Sequence, residues 1–214
     1  MSVGPIYLDY NATTPVDPRV TEVAMPYLTE HFGNPSTTTI FGENARAGIA
    51  RARGQVADLL GSRPDELVFT GGGTESDILA IRGAALANRD RGDHVVTQHT
   101  EHPAVLETCR ALERLYGFRI TYLPVDQHGR VDPEDLEAAV TASTVLVSVM
   151  HANNETGTIQ PIAELVALAH RRGALFHTDA AQSVGKIRVR VDELGVDLLT
   201  VAGHKLYAPK GVGA

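Results

Sequence analysis

Tryptophan is absent from the 214 residues, and cysteine occurs once. One cysteine cannot close an internal disulfide, so a secreted scaffold stapled by cross-links is excluded. Positive charge is the minority sign: 19 Lys and Arg stand against 26 Asp and Glu, a net charge of −7. That balance provides no field to attract a phosphate backbone or an anionic bilayer, so neither nucleic acid nor membrane is expected as a partner. A small anionic ligand would have to be met by local groups. No apolar run approaches the ~18 residues of a membrane span, the longest β-rich stretch being TVLVSVM at 144–150. The opening MSVGPIYLDY has neither the basic start nor the apolar stretch of a signal peptide, which places the chain in the cytoplasm by expectation. Repeats, low-complexity tracts and Ser- or Pro-rich linkers are missing too, and the length suits one large domain with a sizeable core.

What the sequence does have is alternation. Short β-rich runs at 67–70, 94–97, 118–123, 144–150, 174–178 and 197–202 predict strands. Between them, helical periodicity predicts helices at about 17–31, 43–60, 74–90, 103–116, 133–140 and 161–172. Thr74 and the pair Asp132-Pro133 are expected helix starts, since a hydroxyl or carboxylate caps free amides and proline suits the first turn. Strand and helix in alternation predict an α/β fold, a mostly parallel sheet with helices on both faces. Ligands in such sheets collect at the carboxyl ends of the strands, and there the unusual residues fall.

TGGGTESD (70–77) joins a predicted strand to a predicted helix. Three glycines let backbone approach a ligand, and the amides opening a helix favour a phosphate. A plain tight turn is the competing reading, because this is neither GxGxxG nor a P-loop. HTDAAQSVGK (177–186) delivers Asp179 to a strand end with Gln182 just beyond. A buried carboxylate there suits a protonated pyridine nitrogen, which it makes a better electron sink; a helix-capping Asp is the bland alternative. TVAGHKLYAPKG (200–211) sets His204 and Lys205 together in a loop of small residues, where burial would lower the lysine pKa towards what imine chemistry needs. THTEHPAV adds His102 to the same rim, and MHANNETG adds Asn153, Asn154 and Glu155. The nine histidines show no HExxH or Cys/His ligand spacing, so no metal is expected. Cys109 falls with Val105, Leu112 and Tyr116 on the apolar stripe of its helix, and is expected to be buried and inert.

Taken in order, YLDYNATTPVDPRV, FGNPS, VFTGGGTESD, TEHPAV, MHANNETG, HTDAAQSVGK, VDLLTVAGHK and YAPKGVGA resemble the cysteine desulfurases of the NifS/IscS type, class V pyridoxal-phosphate enzymes. The resemblance covers essentially the whole chain. It implies the large domain of the fold type I PLP-dependent transferases over 17–214, with 1–16 packing near the active site. It implies pyridoxal 5'-phosphate held covalently by Lys205, with Asp179 on the pyridine nitrogen, Gln182 and Asn154 at the ring oxygen or substrate carboxylate, and His102 stacked on the ring and shuttling protons. Gly73 and Thr74 would bind the phosphate, with His204 assisting. L-Cysteine would be split into L-alanine and an enzyme persulfide, passed to a sulfur acceptor or iron-sulfur scaffold by a homodimer. Selenocysteine lyases share most of these motifs and remain an alternative.

Two departures stand out. Many relatives have SGHK where this chain has Ala202-Gly203-His204-Lys205, so one phosphate-binding hydroxyl is missing. Relatives also continue for roughly as many residues again, and that part would carry the catalytic cysteine, the substrate-binding arginine and the small domain. Two expectations follow: the cofactor-binding part of a desulfurase, or a non-catalytic cofactor-binding or assembly partner.

Overall fold

The computed structural model describes residues 4–214; residues 1–3, the start of the expected N-terminal segment, lie outside the described residues. Five strands form one parallel sheet in the order β2-β1-β3-β4-β5: β1 (His94–Gln98), β2 (Arg119–Leu123), β3 (Thr144–Ser148), β4 (Leu175–Asp179) and β5 (Leu198–Thr200). Helices α3 (Gly73–Ala87) and α4 (Pro103–Tyr116) cover one face; α5 (Pro133–Ala139) and α6 (Ile162–Arg171) cover the other. The strand pleat explains the division. Val95 and Leu146 pack with Ile81, Val105, Cys109 and Leu112, whereas their neighbours Val96 and Val147 pack with Leu136, Ile162, Leu165 and Phe176. Every residue of β1 and β3 is buried, as befits central strands covered on both sides.

Helices α1 (Pro18–Thr29) and α2 (Ile40–Leu60) lie outside this sandwich, and α1 buries no residue. A short α7 (Val191–Leu194) precedes β5. Caps follow the residue types: Asp17 and Asp132 accept amide protons from Arg19 and Glu134, and α4 ends at Gly117, which takes a left-handed φ of 68°.

Three expectations need correction. Residues 67–70 are not a strand; Thr70 makes only an isolated antiparallel bridge to Gly213. Thr74 is not the cap of α3, which starts at Gly73 with Gly72 as N-cap and no side-chain cap bond. Tyr116 is 41% exposed, so the inward stripe of α4 ends at Leu112.

Candidate active site

The turn into α3 is built for close approach. Gly72 has φ 148° and ψ 176°, a conformation that favours glycine. Thr70 Oγ1 lies 2.7 Å from Ser76 Oγ and steadies the loop from inside. With no side chain capping the first turn, its amides and the positive end of the helix dipole face the cleft. A Cβ on Gly73 would come within 3.1 Å of the Ala202 methyl, so the turn and the lysine loop already touch at this point.

Across from that turn, β4 and β5 deliver the reactive groups. A cleft of about 640 Å³ is lined by Gly73, Thr74, His102, Asp179, His204 and Lys205, together with Asp77 and Lys210. Lys205 closes a single 3-10 turn, Gly203–Lys205, just beyond β5. Burial lowers its pKa, while Asp179, Asp77 and Asp9 partly restore it. Asp179 Oδ1 accepts the Ala181 amide at 2.9 Å; burial raises its pKa, and this amide, His102 and Lys205 oppose the rise. The Ala181 bond is cap-like, but among the described residues it engages one carboxyl oxygen only.

His102 is the N-cap of α4, its Nδ1 accepting the Ala104 amide at 3.1 Å. That bond leaves Nδ1 unprotonated, so in the neutral ring Nε2 carries the proton. Burial, and after it the Lys205 charge against the pull of Asp179, lowers its pKa and favours this neutral form. His204 Nδ1 lies 3.0 Å from Thr13 Oγ1, and burial followed by the charges of Lys205 and Lys210 lowers its pKa as well.

Asn154 and Gln182 do not line the cleft. Both are tied to the N-terminal segment: Asn11 Nδ2 donates to the Asn154 backbone carbonyl at 3.2 Å, and Gln182 Nε2 donates to the Asn11 carbonyl at 2.9 Å. Other side-chain atoms are engaged too, Asn154 Nδ2 by Glu155 at 2.9 Å and Gln182 Oε1 by Lys186 at 2.7 Å. Thr14, buried at 1% exposure, hydrogen-bonds His204 O through its amide and hydroxyl and accepts from the Tyr207 amide. Glu101, beside His102, points inward: its Oε1 accepts the Met150 amide at 2.6 Å and Gln98 Nε2 at 3.0 Å.

Sequence reasoning passed over Asp77 and Lys210. Asp77 had a usable signal, since it lies four residues after Gly73 and therefore on the same helix face. A larger groove of about 720 Å³ lies between residues 67–68, α3 and β5, but no lysine or histidine lines it, and we assign the chemistry to the smaller cleft. Among the described residues no group of three or more His, Cys, Asp or Glu could hold a metal ion. No helix is long and apolar enough to cross a membrane.

The chain as a whole is matched in known proteins. The model of the aminotransferase class-V family fits residues 6–214. The chain belongs to the class-V aminotransferase family. Among curated relatives, the cysteine desulfurase IscS of Dictyoglomus turgidum is 54% identical over 209 residues, covering 98% of this chain and 53% of that protein. The cysteine desulfurase of Mus musculus is 52% identical over 211 residues, 98% of this chain and 46% of the relative. This class-V chain thus spans about half the length of the curated relatives it matches. A structure of SspA in complex with cysteine superposes with a TM-score of 0.93 at 42% identity, over 97% of this chain and 59% of that one. A NifS-like protein gives 0.94 at 40% identity, over 97% and 57%. The fold is accordingly that of the NifS-like, fold type I enzymes.

Proposed function

We propose that this chain holds pyridoxal 5'-phosphate in the cleft of Gly73, Asp179 and Lys205 and forms the cofactor-binding part of a cysteine desulfurase. Sulfur would be removed from L-cysteine to leave L-alanine and an enzyme persulfide for transfer. The observation that carries this reading is the meeting, on one cleft, of an uncapped helix start, a buried carboxyl and a lysine of lowered pKa. The donor set fits the group: amides of the first turn of α3 for the phosphate, Asp179 for the ring nitrogen, Lys205 for the covalent bond. Bound there, the cofactor supplies an electron sink for bond-breaking in an amino acid.

The chain's own residues supply the rest. Lys205, less basic through burial, has a larger unprotonated fraction to act as nucleophile. Asp179 keeps one oxygen for a ring proton while Ala181 fixes the other. His102 presents Nε2 with Nδ1 pinned, a geometry suited to passing a proton at one nitrogen. Gln182 would reach a ligand by giving up its bonds to Lys186 or Asn11, and Asn154 Nδ2 by giving up Glu155. Occurrence as a homodimer, a cytoplasmic setting and delivery to a sulfur acceptor or iron-sulfur scaffold belong to the same proposal, supported by the family resemblance.

A second reading, cofactor binding without turnover by these 214 residues, is favoured by one observation: the single cysteine, Cys109, is fully buried and cannot carry a persulfide to an acceptor. Adding pyridoxal 5'-phosphate, reducing with borohydride and mapping peptides by mass tests the shared core of both readings. A pyridoxyl adduct on Lys205, absent in Lys205→Ala, is expected; an unmodified Lys205, or equal visible absorbance from the variant, would refute it. Alanine release from cysteine then separates the two.

A further inference from the structure

Behind the cleft, four polar side chains that the proposed function leaves unused form a buried row. His177 lies two residues before Asp179 on β4, so the strand pleat puts both on the same face. Its Nδ1 is 2.9 Å from Ser148 Oγ on β3, and its Nε2 is 3.1 Å from Thr200 Oγ1 on β5. Thr200 is in turn the register partner of Asp179. Asp77 closes the row from α3: it is 1% exposed, its Oδ1 has no hydrogen-bond partner, and that atom lies 3.8 Å from His177 Nε2.

The 3.8 Å approach is not an ion pair. Burial drives the His177 pKa down to about 3, and neither group figures in the other's shift. Asp77 is pushed up to about 8, by burial first and by the charge of Asp179 second, with Thr200 and Lys205 opposing. The two buried carboxyls of Asp77 and Asp179 therefore border one cleft with Lys205, and Glu75 and Lys210 line it as well. The carboxyls differ in their donors: Asp179 receives the Ala181 amide and feels His102 and Lys205, whereas Asp77 receives no amide. Other groups near the pair are Glu101, whose pKa burial raises well above its ordinary value, His102 from the β1–α4 loop, and Glu75, His204 and Lys210, which line the same cleft. When two acids crowd in this way, the proton settles on the one without a backbone amide on its carboxyl, here Asp77.

We propose that Asp77 is a positioning residue of this site: the Asp77 and Asp179 pair carries one negative charge, with the proton resting on Asp77, so that Asp179 faces the cleft ionised and Lys205 meets one carboxylate rather than two. This assignment rests on the cleft being the cofactor site, but its first test needs no cofactor. In the 214-residue chain labelled with [13Cγ]aspartate, through-bond NMR assigns both carboxyls in the unsubstituted protein. Between pH 4 and 9, Asp77 should titrate well above the exposed aspartates while Asp179 is ionised at pH 7, and Asp179→Asn should move the Asp77 transition to lower pH. Titration of Asp77 with the surface acids, or a transition unmoved by Asp179→Asn, would overturn the proposal. The second readout is the rate of pyridoxal-phosphate addition at Lys205. The ratio of Asp77→Asn to wild-type rates should rise several-fold from pH 7 to pH 9, because only the wild type gains a second carboxylate. A merely structural Asp77 gives a constant ratio, which overturns the proposal. Absence of any Lys205 adduct in either protein sinks the cofactor reading instead, while the NMR result stands or falls by itself.

Discussion

Replacing Glu101 separates two effects that its burial combines. The side chain is 6% exposed, and its Oε1 clamps the end of β1 to the segment after β3 by accepting the Met150 amide and Gln98 Nε2. Alanine would leave both donors buried without an acceptor, at about 1–3 kcal/mol each, so Glu101→Ala should cost about 2–6 kcal/mol at pH 5. Glutamine keeps an oxygen in the clamp and resembles the protonated acid, so Glu101→Gln should cost within about 1 kcal/mol there. The pH dependence follows from the other oxygen. Oε2 is buried without a partner, and burial raises the Glu101 pKa well above its ordinary value against the opposing Met150 and Gln98 bonds. For an acid whose folded pKa is raised, the stabilising contribution is complete below the unfolded value and is lost as pH climbs towards the folded one. The folded state binds the extra proton in that window, so stability falls by about 1.4 kcal/mol per pH unit. Glu101→Gln lacks that fall. Asp77 and Asp179 titrate in both proteins, and because their charges also raise the Glu101 pKa, the difference between the two curves reports Glu101 together with its coupling to them. Urea unfolding at pH 5, 6 and 7 should show Glu101→Gln gaining stability on the wild type as the pH rises. Parallel stability curves, or a Glu101→Ala cost under about 1 kcal/mol at pH 5, would refute the reasoning.

Ala202→Ser puts a hydroxyl beside Gly73, where the methyl already lies against the α3 turn; cofactor affinity should improve by about 0.5–1.5 kcal/mol in a fluorescence titration, and an unchanged Kd would show that the phosphate site needs no further donor. Cys109 is fully buried, and burial pushes its thiol from 9.0 up to about 12, with Glu101 adding to the rise. At neutral pH this leaves about a thousandfold less thiolate. Iodoacetamide should therefore label the folded chain at least about a thousandfold more slowly than a free thiol and react at once in urea; rapid labelling without denaturant would place Cys109 outside the core.

The sheet and its covering helices were legible in the sequence because both rest on periodicity that a single segment carries in itself. Segment 67–70 misled for the opposite reason: β-rich composition shows that a chain can extend, not that a partner runs beside it, and Thr70 finds only Gly213, 143 residues further on. Asn154 and Gln182 were read by residue type, yet their bonds to Asn11 span 143 and 171 residues, and no local pattern encodes them. Four-residue α7 is too short for a helical period to register. Asp77 is the instructive omission. Asp179 and Asp77 both read as acids near a glycine-rich or strand-end turn, but their positions within elements differ. Asp179 ends a strand, where the amides of the next turn are free, and it captures the one from Ala181. Asp77 sits a full turn inside α3, where neighbouring amides are already committed to carbonyls four residues back, so it receives no amide, one of its oxygens is left without a partner, and burial raises its pKa. The place of an acid within its helix or strand, which periodicity does reveal, therefore decides which member of a crowded pair can bear the charge.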